Sequence, residues 1–175
     1  MRRGLVVLAL TLLLSAGCLQ NKTQAQQASD ALNKGLQAHA AGRLDEAAKD
    51  YREVLSHDPQ NKYAYYDLGV IDQTQNRPAQ AENNYRIALS IDPNFPSALF
   101  NLAILRADAG SAQEAVDLYR RDIAADPNNA RAHLNLGVLL RVNGQAAEGQ
   151  QEIGTALRLD RTLTPPPTPT PAAGG

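Results

Sequence analysis

Residues 62–95 read KYAYYDLGVIDQTQNRPAQAENNYRIALSIDPNF, and this stretch is the template for most of the chain. Its Asp92-Pro93 has counterparts 34 residues to either side, at Asp58-Pro59 and Asp126-Pro127, and Asp160-Arg161 stands in the same register. Other columns align on that period. Gly69 matches Gly35, Ala103 and Gly137; Ala81 matches Ala47, Ala115 and Gly149; Tyr85 matches Tyr51, Tyr119 and Ile153. Self-similarity at a fixed period marks a repeat array, in which each unit buries its apolar face on its neighbours. Four units follow one another without gaps, at 28–61, 62–95, 96–129 and 130–163.

Each unit carries two amphipathic patterns of about 13 residues, with pairs such as Leu68, Ile71 and Leu102, Leu105 at helical spacing. Gly42, Asn76, Gly110 and Gly144 part the two patterns, and these residue types readily adopt the left-handed conformation that ends a helix. Pro78 suits the first turn of a second helix, where no backbone donor is needed. Asp-Pro then stops that helix, because proline cannot continue it and disfavours helical geometry just before itself. Asn61, Asn94 and Asn129 offer side-chain caps for the next helix. Unit four lacks the proline after Asp160, but Thr164-Pro165-Pro166-Pro167 stops its helix.

Gly35, Gly69, Ala103 and Gly137 on the first helices face Ala47, Ala81, Ala115 and Gly149 on the second. Small residues at matched positions predict a close helix pair, with the tyrosines filling the space beside it. Gln145, Glu148, Gln150, Gln151, Glu152 and Arg158 make the last helix polar enough to cap an array.

The set Tyr65, Leu68, Gly69, Ala81, Tyr85, Ala88, Leu89 and Pro93 resembles the tetratricopeptide repeat, a 34-residue helix-turn-helix unit. The resemblance covers residues 28–163, about three quarters of the chain. Departures are Ala31 and Lys34 in unit one, Asp122 in place of Ala in unit three, and Ile153 in place of the aromatic in unit four. The resemblance implies an all-α fold: an α-solenoid of four helix-turn-helix units forming a right-handed superhelix, whose first helices line a concave groove. It also implies which residues face that groove. They are Asn33, Asp67, Asn101 and Asn135 as a ladder of polar groups, with Tyr66, Phe100 and Leu134 (beside Leu32) and the ninth-position Leu36, Val70, Ile104 and Val138 as an apolar floor. Tyr63 and Arg131 stand at its edge. Side-chain amides can bond the backbone of an extended peptide without reading its sequence, and apolar pockets take anchor side chains. The same stripe can serve as helix-to-helix core. Some members of the family clamp a C-terminal carboxylate with lysine, arginine and asparagine. At the matching positions this chain has Ser29, Asn33, Asp67, Ser97 and Asn101, so that mode is not expected.

The N-terminus has its own logic. Met1-Arg2-Arg3 supplies charge, Leu5 to Leu14 is apolar apart from Thr11, and Ser15-Ala16-Gly17 is small, the order of a signal peptide over residues 1–17. The apolar run is half of the roughly 20 residues a spanning helix needs. Leu14-Ser15-Ala16-Gly17-Cys18 resembles the lipobox of bacterial lipoproteins, with Ser15 where Leu is commonest, and implies lipidation at Cys18, the one cysteine of the chain. Two or more acyl chains anchor a protein stably where one does not. Residues 18–27 then read as the lipidated end and a polar tether. Residues 164–175 read as a Pro/Thr/Ala/Gly-rich disordered tail.

The 175 residues are 43% hydrophobic and 20% charged, and the net charge of −1 becomes −3 once Arg2 and Arg3 are removed. No basic patch emerges, so nucleic acid is not an expected partner. His39, His57 and His133 fall in different units without a second ligand at metal spacing, and no phosphate loop or nucleophile elbow is present. No enzyme activity, metal or cofactor is expected. The expected function is a membrane-anchored protein-interaction scaffold in the bacterial cell envelope, on the outer membrane facing the periplasm or on the cell surface, holding a protein or peptide partner in the groove. Lipoproteins of this build resemble assembly factors for pili, secretion channels or outer-membrane proteins. The alternatives are a structural subunit that stacks through the ends of the array and, with no residue-level support, an accessory of a cell-wall enzyme.

Overall fold

The computed structural model describes residues 23–166. Among them lie eight α-helices and no strand: α1 over 23–40, α2 Leu44–His57, α3 Lys62–Thr74, α4 Pro78–Ile91, α5 Pro96–Asp108, α6 Ala112–Ala125, α7 Ala130–Val142 and α8 Ala146–Leu159. The helices pair as the period predicts, one pair to each repeat. Residues 23–27, expected in the tether, are helical and continuous with α1. Among the described residues no helix is long and apolar enough to cross a membrane.

The turn inside each pair is the same in all four repeats. Gly42, Asn76, Gly110 and Gly144 have φ of 73°, 56°, 77° and 84°. The next residue then donates its N–H across the turn: Arg43 to Ala38, Arg77 to Asp72, Ser111 to Arg106 and Gln145 to Leu140, at 2.8–2.9 Å. That 6→1 bond satisfies a carbonyl the helix would otherwise leave unpaired.

The turn between pairs is built by aspartate more than by proline. The carboxylates of Asp58, Asp92 and Asp126 accept from the N–H two residues on, at 3.1–3.3 Å. Asp160, with no proline after it, does the same to Thr162 at 2.9 Å. An Asp side chain that bonds the backbone two residues ahead mimics a backbone turn. Asn61 and Asn129 cap α3 and α7 through the N–H groups of Ala64 and Ala132. Asn94 does not cap α5. The cap position there is Phe95, which has no side-chain hydrogen bond to give. The column that holds Asn61 and Asn129 holds Phe95, whereas Asn94 aligns with Gln60 and Asn128.

The chain divides into two compact bodies that part between Ile87 and Ala88, within α4. In the first, Tyr51, Val54, Ile71 and Tyr85 are fully buried among Ala31, Ala38, Ala47, Ala64 and Ala81. In the second, Leu99, Leu102, Leu136, Leu140 and Ile153 play that part around Ala103, Ala115 and Ala156. Each large side chain so buried is worth about 1.5–3 kcal/mol over its exposed state.

The small-residue columns do what the pattern predicts, by two different routes. A Cβ on Gly35 would lie 2.7 Å from the Tyr51 ring, and one on Gly69 would lie 2.5 Å from that of Tyr85. At α7 and α8 the contact is backbone to backbone. A Cβ on Gly137 would meet the Gly149 carbonyl oxygen at 2.6 Å, and one on Gly149 the Gly137 oxygen at 2.5 Å. Where repeat four loses the aromatic and has Ile153, two glycines let the helices close the gap.

Candidate functional site

In the second body, one face of α5 and one of α7 enclose a cavity of about 420 Å³. Ile104, Ala107 and Asp108 reach it from α5, and Leu134, Asn135, Val138, Leu139 and Val142 from α7. The spacing of three and four residues puts each set on one side of its helix. The floor is apolar and open to solvent: Val142 is 70% exposed, and Ile104, Leu134 and Val138 are half-buried. Tyr119 supplies the back wall from α6, and Pro166 lies at the cavity after α8.

The polar contribution is one pair. Asn135 donates through Nδ2 to the Tyr119 hydroxyl at 3.2 Å. Burial pushes the Tyr119 phenol up to about 12, and the Asn135 hydrogen bond lowers it only partly. The hydroxyl is therefore neutral and keeps its own proton to donate, while Asn135 retains a second N–H and a carbonyl oxygen. Phe100 packs edge-on against Tyr119, with ring centroids 6.0 Å apart, and the Arg131 guanidinium lies 5.4 Å from the Phe100 centroid. A cation held over an aromatic face gains about 0.5–1 kcal/mol at an exposed site. Phe100, Arg131, Leu134 and Asn135 thus share one neighbourhood around Tyr119. Asn101 is half-buried on α5 and is not among the cavity's lining residues.

In the first body the expected residues are more dispersed. Tyr66 tilts against Tyr85 at 5.9 Å. Asp67 accepts from the Tyr51 hydroxyl, and burial pushes its carboxyl up to about 6 against the opposing pull of that hydrogen bond. Burial and the nearby Asp67 raise the Tyr51 phenol as well. Tyr63 is 52% exposed, with the Lys62 ammonium 5.1 Å from its ring centroid, and Asn33 is exposed on α1. Leu32 and Ser29 line a second concavity with His57, Asp58 and Asn61. A third, between α2 and the α3–α4 turn, is polar, and its Asp72 is already held by Arg77 at 2.6 Å and Asn84 at 2.7 Å.

One reading of the sequence is therefore sharpened. Asp67 and Asn135, expected to face a ligand, each engage the tyrosine hydroxyl of the preceding repeat. Two of the four ladder residues thus have a structural duty. Tyr119, Leu139, Val142 and Pro166 were not singled out as site residues. The tyrosine column was visible as packing, and nothing in the periodic pattern pointed to Pro166. His133 is accounted for locally: its two ring nitrogens lie 2.6 Å from Glu152 and 3.1 Å from the Pro127 carbonyl oxygen. Among the described residues no group of His, Cys, Asp or Glu could hold a metal ion. Cys18 and the rest of residues 1–22, and residues 167–175 of the tail, lie outside the described residues.

Family models of the tetratricopeptide repeat match residues 38–83, 72–130 and 118–151. No curated protein sequence matches the chain. Among solved structures, MamA superposes with a TM-score of 0.70 at 19% identity, over 80% of this chain and 82% of that one. PilF of Pseudomonas aeruginosa gives 0.71 at 24% identity, over 81% of this chain and 64% of that one. YrrB, described as a TPR protein with an unusual peptide-binding site, gives 0.70 at 16% identity, over 83% and 74%. Identity this low speaks to the fold alone, and the fold agrees with the repeat matches and with the four glycine-or-asparagine turns. The chain is an all-α solenoid and belongs to the tetratricopeptide-repeat family.

Proposed function

We propose that the chain is a membrane-anchored scaffold that binds a segment of another protein in the α5–α7 groove. The observation that carries this is the cavity of the second body: an apolar floor left open to solvent, with Asn135 and Tyr119 converging on it as hydrogen-bonding groups. Such a floor takes apolar anchor side chains, while the amide and hydroxyl satisfy the backbone of the bound segment. Anchoring would come from lipid on Cys18, as the resemblance of residues 14–18 to a lipobox suggests. The narrower reading is an assembly factor of the bacterial envelope, for pili, secretion channels or outer-membrane proteins.

Photo-crosslinking in envelopes tests the binding surface. A crosslinker at Leu134 or Val142 should capture one discrete partner, one at Ala124 on α6 should not, and Asn101→Ala with Asn135→Ala should abolish the capture. Equal capture from Ala124, or capture indifferent to the double substitution, would overturn the groove. Cys18→Ser should move the protein out of the membrane fraction; persistence there would remove the lipid anchor from the proposal.

A further inference from the structure

Pro166 is the one residue at the cavity that belongs to neither the helices nor the repeats. Its route there is defined. After α8 the Asp160 carboxylate turns the chain through the Thr162 N–H, the Leu163 N–H bonds back to the Asp160 carbonyl at 3.4 Å, and Leu163 is half-buried. Three residues later the chain is at the groove. From Pro165 it continues Pro166-Pro167-Thr168-Pro169-Thr170-Pro171, without a charge.

We infer that the proline-rich segment that begins at Pro165-Pro166 is a ligand of the chain's own groove, docking on the α5–α7 face where an incoming partner must displace it. The lengths agree. The six steps from residue 165 to residue 171 would reach roughly 19 Å at the ~3.1 Å per residue of a polyproline II chain, and the α7 face from Leu134 to Val142 spans roughly 12 Å at 1.5 Å per residue. Such a segment is largely pre-ordered, so little conformational entropy is lost on docking. Its prolines carry no backbone N–H but leave carbonyl oxygens unpaired, and the second Asn135 N–H and the Tyr119 O–H are the donors the cavity offers. The rings meet the floor of Ile104, Leu134, Val138 and Val142. The same chemistry describes the external partner best suited to compete, an uncharged proline-rich segment.

The inference rests on the reading of this face as a binding groove, and its test reads the tail directly. Methyl NMR signals of Ile104, Leu134, Val138 and Val142 are compared between the full chain and the full-length Pro165→Ser, Pro166→Ser, Pro167→Ser variant. The substitutions should shift those methyls and leave Val54 and Ile71 in place. A synthetic peptide of residues 164–175, titrated into the variant, should return them saturably toward the wild-type positions. Identical methyl positions in the two proteins, or a peptide that restores nothing, would overturn the inference. So would wild-type positions that move toward the variant's on dilution, since the tail would then sit on a second copy. Tail docking without partner capture would count against the proposed function alone, and capture without tail docking against this inference alone.

Discussion

Asn135 donates its side-chain amide to the Tyr119 hydroxyl at 3.2 Å, which ties the sixth residue of repeat four to the tyrosine of repeat three. Because Tyr119 is only 2% exposed, its hydroxyl has few other partners to turn to. A hydrogen bond of this kind contributes about 0.5–1.5 kcal/mol, and stranding one partner costs somewhat more. Asn135→Ala and Tyr119→Phe should each destabilise by about 1 kcal/mol in urea unfolding. The double variant should lose little more than either alone, because both remove the same bond. Strictly additive losses would show that Asn135 is free for ligand and has no structural share.

The Gly137–Gly149 crossing should be the least forgiving point of the fold. Repeat three has Ala103 in the glycine column and still buries Tyr119, so an aromatic neighbour can yield to one methyl group. Gly35→Ala and Gly69→Ala should then cost about 1–3 kcal/mol as the Tyr51 and Tyr85 rings adjust. Gly137→Ala meets backbone oxygen instead, which cannot move without dragging α8 with it. It should cost about 3 kcal/mol or more and show the largest fall in melting temperature of the three. Ala81, with no exposed surface, should behave likewise when enlarged to Leu. Equal melting temperatures for Gly137→Ala and Gly69→Ala would refute the distinction.

The helices were legible because each repeat states its boundaries twice, in the apolar period and in the residue that breaks it. Which columns share a helix face was legible for the same reason: a fixed register sets it. What escaped were features that depend on side-chain reach. The Asp-Pro signal was read through its proline, yet Asp160 makes the same turn without one. Asn94 looked like a cap because it is an asparagine near a helix start, although it stands one position too early. The pairing of Asp67 with Tyr51 and of Asn135 with Tyr119 crosses from one repeat to the next, which no within-repeat pattern encodes. Pro166 belongs to no period at all, and composition alone reads such a stretch as solvated.

Asn76 is the one non-glycine residue with positive φ among the described residues, at 56°. Its three counterparts are glycines. Asparagine tolerates the left-handed region better than other side chains, but not as freely as glycine. Asn76→Ala should therefore lower stability by about 1 kcal/mol, and Asn76→Gly should leave it nearly unchanged. Thermal melts of the two variants decide it. A tolerated alanine would mean that the 6→1 bond from Arg77 to Asp72 holds the turn regardless of the residue at its apex.

Asp122 should make the stability of the second body fall with rising pH on the acid side of neutrality. It stands in the column of Ala88 and Ala156, has no exposed surface, and leaves one carboxyl oxygen without a partner. Burial and the nearby Asp126 push its carboxyl up to about 7, although the Asn129 amide, 2.8 Å from the other oxygen, and His133 favour the charged form. A carboxyl whose folded pKa lies above its unfolded value adds stability that is complete at low pH and is lost as pH rises through the folded value. The wild-type chain should thus lose stability progressively between about pH 4, the unfolded value, and about pH 7, the folded one, relative to Asp122→Ala, which has no group to ionise there. At pH 8.5 the variant should be the more stable by on the order of 1–3 kcal/mol, the cost of a buried polar group without a partner. At pH 5.5 the difference should shrink, because the neutral acid is cheaper to bury and still bonds Asn129. Since His133 and Glu152 are common to both proteins, the difference between their stability curves isolates Asp122. Two curves that run parallel from pH 5.5 to 8.5 would show that Asp122 stays in one protonation state throughout.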